Sequence, residues 1–255
     1  MEALLGLAII YKETNMPDNA DEYYRMAMQL DEFDPEPCAK YARFLLEQGR
    51  VDEAKEVVEQ AITKDTHKTR GCTEASQLYA QFGHHELAAA CLQRLQDEVG
   101  DQADSMNDLA NCFYQQQNYE RAAELYEQAT GLPDAKPVTW RNLGLALYHL
   151  GRNQEAIESL EAYLRRCPDD LDIVHVAGDL YSKVGRYSQA LQKYEAYLSK
   201  RPVDALAMFN LSECYLNMGH RDSAVMGYKR VLQIDPGFQP ALRRLSEVLE
   251  PAGRP

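Results

Sequence analysis

The sequence predicts an all-α fold: seven helix-turn-helix units in tandem, followed by one further helix. Three observations carry this expectation. An alanine recurs every 34 residues, at Ala20, Ala54, Ala88, Ala122, Ala156, Ala190 and Ala224, with no insertion or deletion between them. The fifteenth place of each block so defined is glycine at Gly49, Gly83, Gly151, Gly185 and Gly219, with Asn15 and Gln117 in the two other blocks. The eighth place is always small: Ala8, Ala42, Ser76, Ala110, Gly144, Gly178 and Ser212. A fixed period of this length marks stacked supersecondary units. The blocks run 1–34, 35–68, 69–102, 103–136, 137–170, 171–204 and 205–238, and 239–255 is left as a C-terminal capping helix and tail.

Within a block the elements follow in order. Apolar places 4, 7, 8 and 11 keep helical spacing and define the first helix. Its seventh place holds Leu7, Tyr41, Leu109, Leu143 and Leu211, and its eleventh Tyr11, Leu45, Tyr79, Phe113, Leu147, Tyr181 and Tyr215. Glycine at the fifteenth place supplies the positive φ that ends this helix. Polar residues such as Arg50 and Asp52, or Arg186 and Ser188, lead into the second helix, whose apolar places are 20, 24, 27 and 28. Two helices crossing at about 8–10 Å need short side chains at the contact, the expected role of the small eighth place and the recurrent alanine.

Proline offers an independent test, because it costs about 3 kcal/mol inside a helix. Pro17 falls between two expected helices, Pro133, Pro168, Pro202 and Pro236 at block ends, Pro35, Pro37, Pro137 and Pro240 in first turns, and Pro251 and Pro255 in the tail.

The two ends differ. Residues 239–250 form one more helix, with Leu242, Leu245 and Leu249 expected inward and Arg243, Arg244, Glu247 and Glu250 outward, as the polar-backed cap of an array requires. At the N-terminus, Leu4, Leu7 and Tyr11 fill core places while Leu5, Ile9 and Ile10 add apolar surface that wants a neighbour. A preceding segment of a longer protein, a partner, or self-association through the N-terminal helix would each cover it.

The pattern is fullest in Trp140, Leu143, Gly144, Tyr148, Gly151, Ala156 and Pro168, and again in Gly178, Tyr181, Gly185, Ala190, Tyr194 and Pro202. In these residues the chain resembles the tetratricopeptide repeat, over residues 1–238. Tyr148 lies one place beyond the usual aromatic site, which Leu147 occupies, and of the first four blocks only the fourth has the proline near its end, Pro133. The resemblance implies a right-handed superhelical α-solenoid in which the first helix of each block lines the concave surface, with places 2, 5, 6, 9, 12 and 13 facing a partner.

Composition narrows the function classes. A formal net charge of −13 opposes nucleic acid and anionic lipid, which need basic stripes. No run of even 15 apolar residues occurs, and the first ten residues carry no basic segment, so neither membrane insertion nor a signal peptide is expected. Cys38, Cys72, Cys91, Cys112, Cys167 and Cys214 form no CxxC pair and read as buried thiols, which favours the cytoplasm or another reducing intracellular compartment. His84-His85-Glu86 fails as a zinc helix, because the second HExxH ligand would fall at Ala89. No phosphate loop or nucleophile elbow is present, so no enzymatic activity, metal or cofactor is expected.

The resemblance leaves the groove as the candidate site. Its places supply Asn107, Asn111, Tyr114, Arg141, Asn142, Tyr148, His149, His175, Phe209 and Asn210, together with Asp104, Asp108, Asp179 and Glu213. Asparagine offers a donor and an acceptor to a peptide backbone, and aromatic or arginine side chains anchor it. A cochaperone-type carboxylate clamp fits poorly, since Asn107, His175 and Asp179 stand where cations are required. An asparagine ladder like that of O-linked N-acetylglucosamine transferases is represented only by Asn142 and Asn210. The expected function is a non-enzymatic protein-interaction scaffold that holds a peptide or helix of a protein partner. The alternative is a regulatory or targeting arm of a larger enzyme or of a secretion, pilus or envelope-assembly machine.

Overall fold

The computed structural model describes residues 1–30, 36–64, 69–100 and 102–249. Fifteen helices and no strand occur among them: α1 (Glu2–Glu13), α2 (Pro17–Leu30), α3 (Glu36–Glu47), α4 (Val51–Lys64), α5 (Thr69–Gln81), α6 (His85–Val99), α7 (Ala103–Gln115), α8 (Tyr119–Thr130), α9 (Pro137–His149), α10 (Asn153–Leu164), α11 (Leu171–Lys183), α12 (Tyr187–Lys200), α13 (Ala205–Asn217), α14 (Arg221–Ile234) and α15 (Gln239–Leu249). Each pair falls inside one 34-residue interval. The chain divides between Ala135 and Lys136 into two compact units, one holding α1–α8 and the other α9–α15.

The turn inside each pair is made as the sequence requires. Gly49, Gly83, Gly151, Gly185 and Gly219 have φ between 73° and 83°, and Asn15 and Gln117 adopt 58° and 61° in their places. The recurrent alanine is inaccessible to solvent at all seven positions. At the eighth place a Cβ on Gly144 would lie 2.4 Å from Leu160 Cδ2, and one on Gly178 2.8 Å from Tyr194 Cε1. The helices cross too closely there for a side chain. Pro17 and Pro137 open α2 and α9, Pro37 and Pro240 sit in first turns, and Pro133, Pro168, Pro202 and Pro236 lie between helices. Pro35, Pro251 and Pro255 lie outside the described residues.

Within each unit, neighbouring pairs are joined by the second helix of one packing on the first helix of the next. The first helices of successive pairs also touch, α3 on α5 in the first unit and α11 on α13 in the second. They therefore form the inner wall of each unit. Tyrosines tie the stack at repeating places: Tyr181 Oη donates to Glu161 at 3.0 Å and Tyr215 Oη to Glu195 at 3.2 Å, each reaching back to the preceding pair. Tyr163 Oη donates to Asp170 and Tyr197 Oη to Asp204, both at 2.7 Å. The same aspartates cap the following helices through the backbone N–H of Ile173 and Ala207, leaving fewer helix-end donors unmet.

Three expectations need correction. In α1, Leu5 is buried and Leu7 is exposed. Place 7 packs on the preceding pair, as Tyr41 does against Tyr24 with ring centroids 5.6 Å apart, and no described helix precedes α1. Leu5 shares the face of Ala8, three residues on, and is covered with it. In α15 the buried residues are Ala241 and Val248, with Arg244 and Leu245 half-buried beside them, while Leu242 and Leu249 are exposed. The i, i+3, i+4, i+7 face that docks is thus set one position away from the leucine stripe, and Arg244 anchors it through Glu213 at 2.7 Å. Glu250 lies outside the described residues. Finally, five cysteines are buried, but Cys167, in the loop after α10, is half-buried. No helix of the described residues is long and apolar enough to cross a membrane.

Candidate functional site

In the second unit the inner wall is built from α9, α11, α13 and α15. Place 5 of these helices carries Arg141, His175, Phe209 and Arg243. Two of these side chains lean onto the second helix of their own pair: His175 lies 4.9 Å from Tyr197 and 5.7 Å from Tyr194, and Phe209 lies 5.7 Å from Tyr228, between ring centroids, with Phe238 in the loop before α15 5.4 Å away. His175 Nδ1 is 3.6 Å from Asp179. Arg141 Nε and His175 Nε2 are both sealed from solvent without a hydrogen-bond partner. Tyr148 accepts Lys183 on its ring face, 4.1 Å from the centroid, and at its hydroxyl, 3.0 Å away. His149 is exposed at the end of α9, and Asn142 is half-buried.

Several expected readers prove to be held internally. Tyr194 Oη donates to Asp179 at 2.6 Å, Asn210 Nδ2 donates to the same oxygen at 3.1 Å, and Tyr228 Oη donates to Glu213. In the first unit Tyr126 Oη donates to Asn111 at 2.6 Å. Place 9 is therefore a structural acceptor wherever the twenty-fourth place is tyrosine and the ninth is polar. Burial and these acceptors push the Tyr194 and Tyr228 hydroxyls well above the ordinary phenol range, so each remains a neutral donor. Asn107 is buried in α7 rather than presented by it, and Tyr114 packs edge-on against Tyr119 at 5.2 Å.

The first unit presents two hollows on its inner wall that the sequence reading passed over. One, of about 310 Å³, lies between α5 and α7 over the start of α6, and is lined by Gln77, Gln81, His85, Asp108, Asn111 and Gln115 above a floor of Ala80, Leu92 and Cys112. The other, of about 500 Å³, lies between α3 and α5 and carries Glu36, Lys40, Arg43 and Glu74. Arg43 Nη1 donates to Gln81 at 3.0 Å on the ridge between them. Places 9 and 13 of the third block, Gln77 and Gln81, obey the same column rule as the later blocks and could have been read from it. No cluster able to hold a metal occurs among the described residues.

Comparison with known proteins agrees with this architecture. Tetratricopeptide repeat family models match residues 3–36, 35–60, 73–137, 109–178 and 181–245. A TPR repeat-containing protein of Methanocaldococcus jannaschii is 30% identical over 74 residues, a stretch that covers 29% of this chain and 13% of that protein. Among solved structures, YrrB, described as a TPR protein with an unusual peptide-binding site, aligns over 74% of this chain and 97% of its own with a TM-score of 0.68 and 18% identity. The C-terminal part of a TPR repeat-containing protein from Cytophaga hutchinsonii aligns over 93% of this chain and 98% of its own, with a TM-score of 0.67 and 19% identity. By its unbroken 34-residue period, its paired helices and these matches along the sequence, the chain belongs to the tetratricopeptide repeat family.

Proposed function

We propose that this protein is a non-catalytic scaffold that binds an extended segment of a partner protein on the inner wall formed by the first helices. The observation that carries the reading is the set of unpartnered nitrogens. Among the described residues, the buried side-chain polar atoms without a hydrogen-bond partner are His85 Nδ1, Arg141 Nε and His175 Nε2. Arg141 and His175 stand in one column of the inner wall, and His85 lines the α5–α7 hollow. A sealed polar atom with no partner costs about 1–3 kcal/mol, and a turn of the side chain toward the groove would let a peptide main chain, which supplies both donors and acceptors, relieve it. YrrB, which shares the fold, is described as having an unusual peptide-binding site, and this supports peptide binding by a fold of this kind.

The test is affinity capture with two variants. Arg141→Glu combined with Asn142→Ala should weaken recovery of the partner while circular dichroism stays unchanged, since Gly144, Ala156 and Leu160, which make the close contact of the α9–α10 crossing, are left in place. Glu158→Lys, exposed on α10, should have no effect. Partner recovery lost with Glu158→Lys and kept with the double variant would place binding on the outer face and defeat the proposal.

A further inference from the structure

The charges of the chain are unevenly divided. Residues 1–135 hold eleven basic and twenty-six acidic side chains, whereas residues 136–255 hold sixteen basic and fourteen acidic ones. The whole negative excess lies in the first unit. Such a field raises the local concentration of cations and speeds their encounter.

Within that unit the α5–α7 hollow has the chemistry to hold one cationic side chain. Its floor of Ala80, Leu92 and Cys112 is apolar, which suits the aliphatic stem of lysine or arginine. Above it stand the carboxylate of Asp108 and the amides of Gln77 and Gln115. His85 Nδ1 is sealed and unpartnered beside the same hollow, so a ligand reaches it once the ring turns toward the hollow, where an unprotonated Nδ1 can accept a hydrogen bond. Gln81 already accepts from Arg43, which faces the separate α3–α5 hollow. The negative field reaches the floor: Cys112 is pushed up to about 11, by burial first and then by the charge of Asp108.

We infer that the α5–α7 hollow is a pocket for a lysine or arginine side chain carried by an extended basic segment of a partner protein. The inference rests on the peptide-binding reading above and adds the chemistry of the ligand. The aliphatic stem lies over Leu92, and the charged head meets Asp108, the two glutamines and His85. A charge-assisted hydrogen bond of this kind is among the stronger contacts available to a peptide.

Fluorescence polarisation with two labelled probes of about twelve residues tests it, one repeating Lys-Ala-Leu and one with Glu at each Lys, in about 50 mM and about 300 mM salt. The lysine probe should bind and the glutamate probe should not. The preference should survive the higher salt, where long-range attraction is screened. Asp108→Lys should weaken the lysine probe about tenfold or more, and His85→Phe should weaken it in the same direction. Glu124→Lys, on the exposed side of α8, should change it less than about twofold. Equal losses from Asp108→Lys and Glu124→Lys would reduce the effect to nonspecific attraction and overturn the pocket. If the lysine probe fails while a peptide selected from a random display library binds and is lost with Arg141→Glu, the pocket is wrong and the inner-wall reading stands. If no selected peptide binds the inner wall, both fall.

Discussion

Single side chains at the helix crossings and turns decide whether a 34-residue unit closes. Gly144 sits against Leu160, whose own side chain is inaccessible to solvent, so the leucine has nowhere to retreat. Gly144→Ala should therefore cost about 1–3 kcal/mol, read from chemical denaturation, and a change of less than a few tenths would show that the crossing is looser than drawn. Gln117 presents the opposite case. It holds φ 61° where five other blocks use glycine, and a non-glycine residue in that region carries about 1–2 kcal/mol of steric cost. Since glycine loses more backbone entropy on folding, Gln117→Gly should gain only about 0.5–1 kcal/mol, and a loss of stability would refute the strain. The cysteines differ by environment. Burial raises Cys91 to about 12 and Cys112 to about 11, which leaves almost no thiolate near neutrality. Half-buried Cys167 should be the thiol that maleimide labels in the native protein, and mass spectrometry that finds Cys91 or Cys112 modified first would contradict the packing.

Between elements, the repeated aspartate before α13 does two jobs. Asp204 accepts from the backbone N–H of Ala207 and from Tyr197 Oη. Burial by itself would raise its pKa, but the helix amide and the tyrosine hydroxyl outweigh burial and hold it below the usual carboxylate value. A depressed native pKa contributes stability that is present above the unfolded value, about 3.9, and is lost as pH falls through the native one. Asp204→Asn should thus flatten the acid limb of the stability profile below about pH 4, and an unchanged limb would count against the role. The positions of the helices were legible in the sequence because the alanine, glycine and apolar columns obey one period. Which side of a column is covered was less so. Leu5 and Leu7 exchange roles because burial in α1 depends on a neighbour that the period does not supply, and Leu242 and Leu249 lie exposed because Arg244, tied to Glu213, takes a place in the docking face. Asn111 and Asn210 looked like readers by position, yet Tyr126 and the Tyr194–Asp179 pair engage them across the helix crossing, a partnership set by three-dimensional packing. The α5–α7 hollow escaped notice for a related reason: its imidazole comes from the first turn of a second helix, outside the columns assigned to a partner.

At the scale of the molecule, an exact period hides a division. The 34-residue register runs through Ala135 and Lys136 without a break, yet the chain forms two compact units there, and the charge changes with them. Twenty-six acidic against eleven basic side chains in residues 1–135 give the first unit a self-repulsion that opposes its compact state. Its ion pairs offset only part of this. Arg50 bridges Asp21 at 2.7 Å and Glu53 at 2.6 Å, and Lys12 reaches Glu47 at 2.6 Å, but the acidic residues outnumber the available cations more than twofold. The second unit is nearly balanced, with sixteen basic and fourteen acidic residues. Raising salt from about 50 mM to about 500 mM shortens the screening length from about 14 Å to about 4 Å and should relieve repulsion in the first unit while leaving the second little changed. Because each repeat couples mainly to its neighbours, the effect should remain regional. Hydrogen exchange measured at the two salt concentrations should show protection rising across α1–α8 and staying nearly constant across α9–α14. A uniform rise would point to a general salt effect on folding, and a fall confined to α1–α8 would mean that the ion pairs around Asp21 and Arg50 outweigh the repulsion.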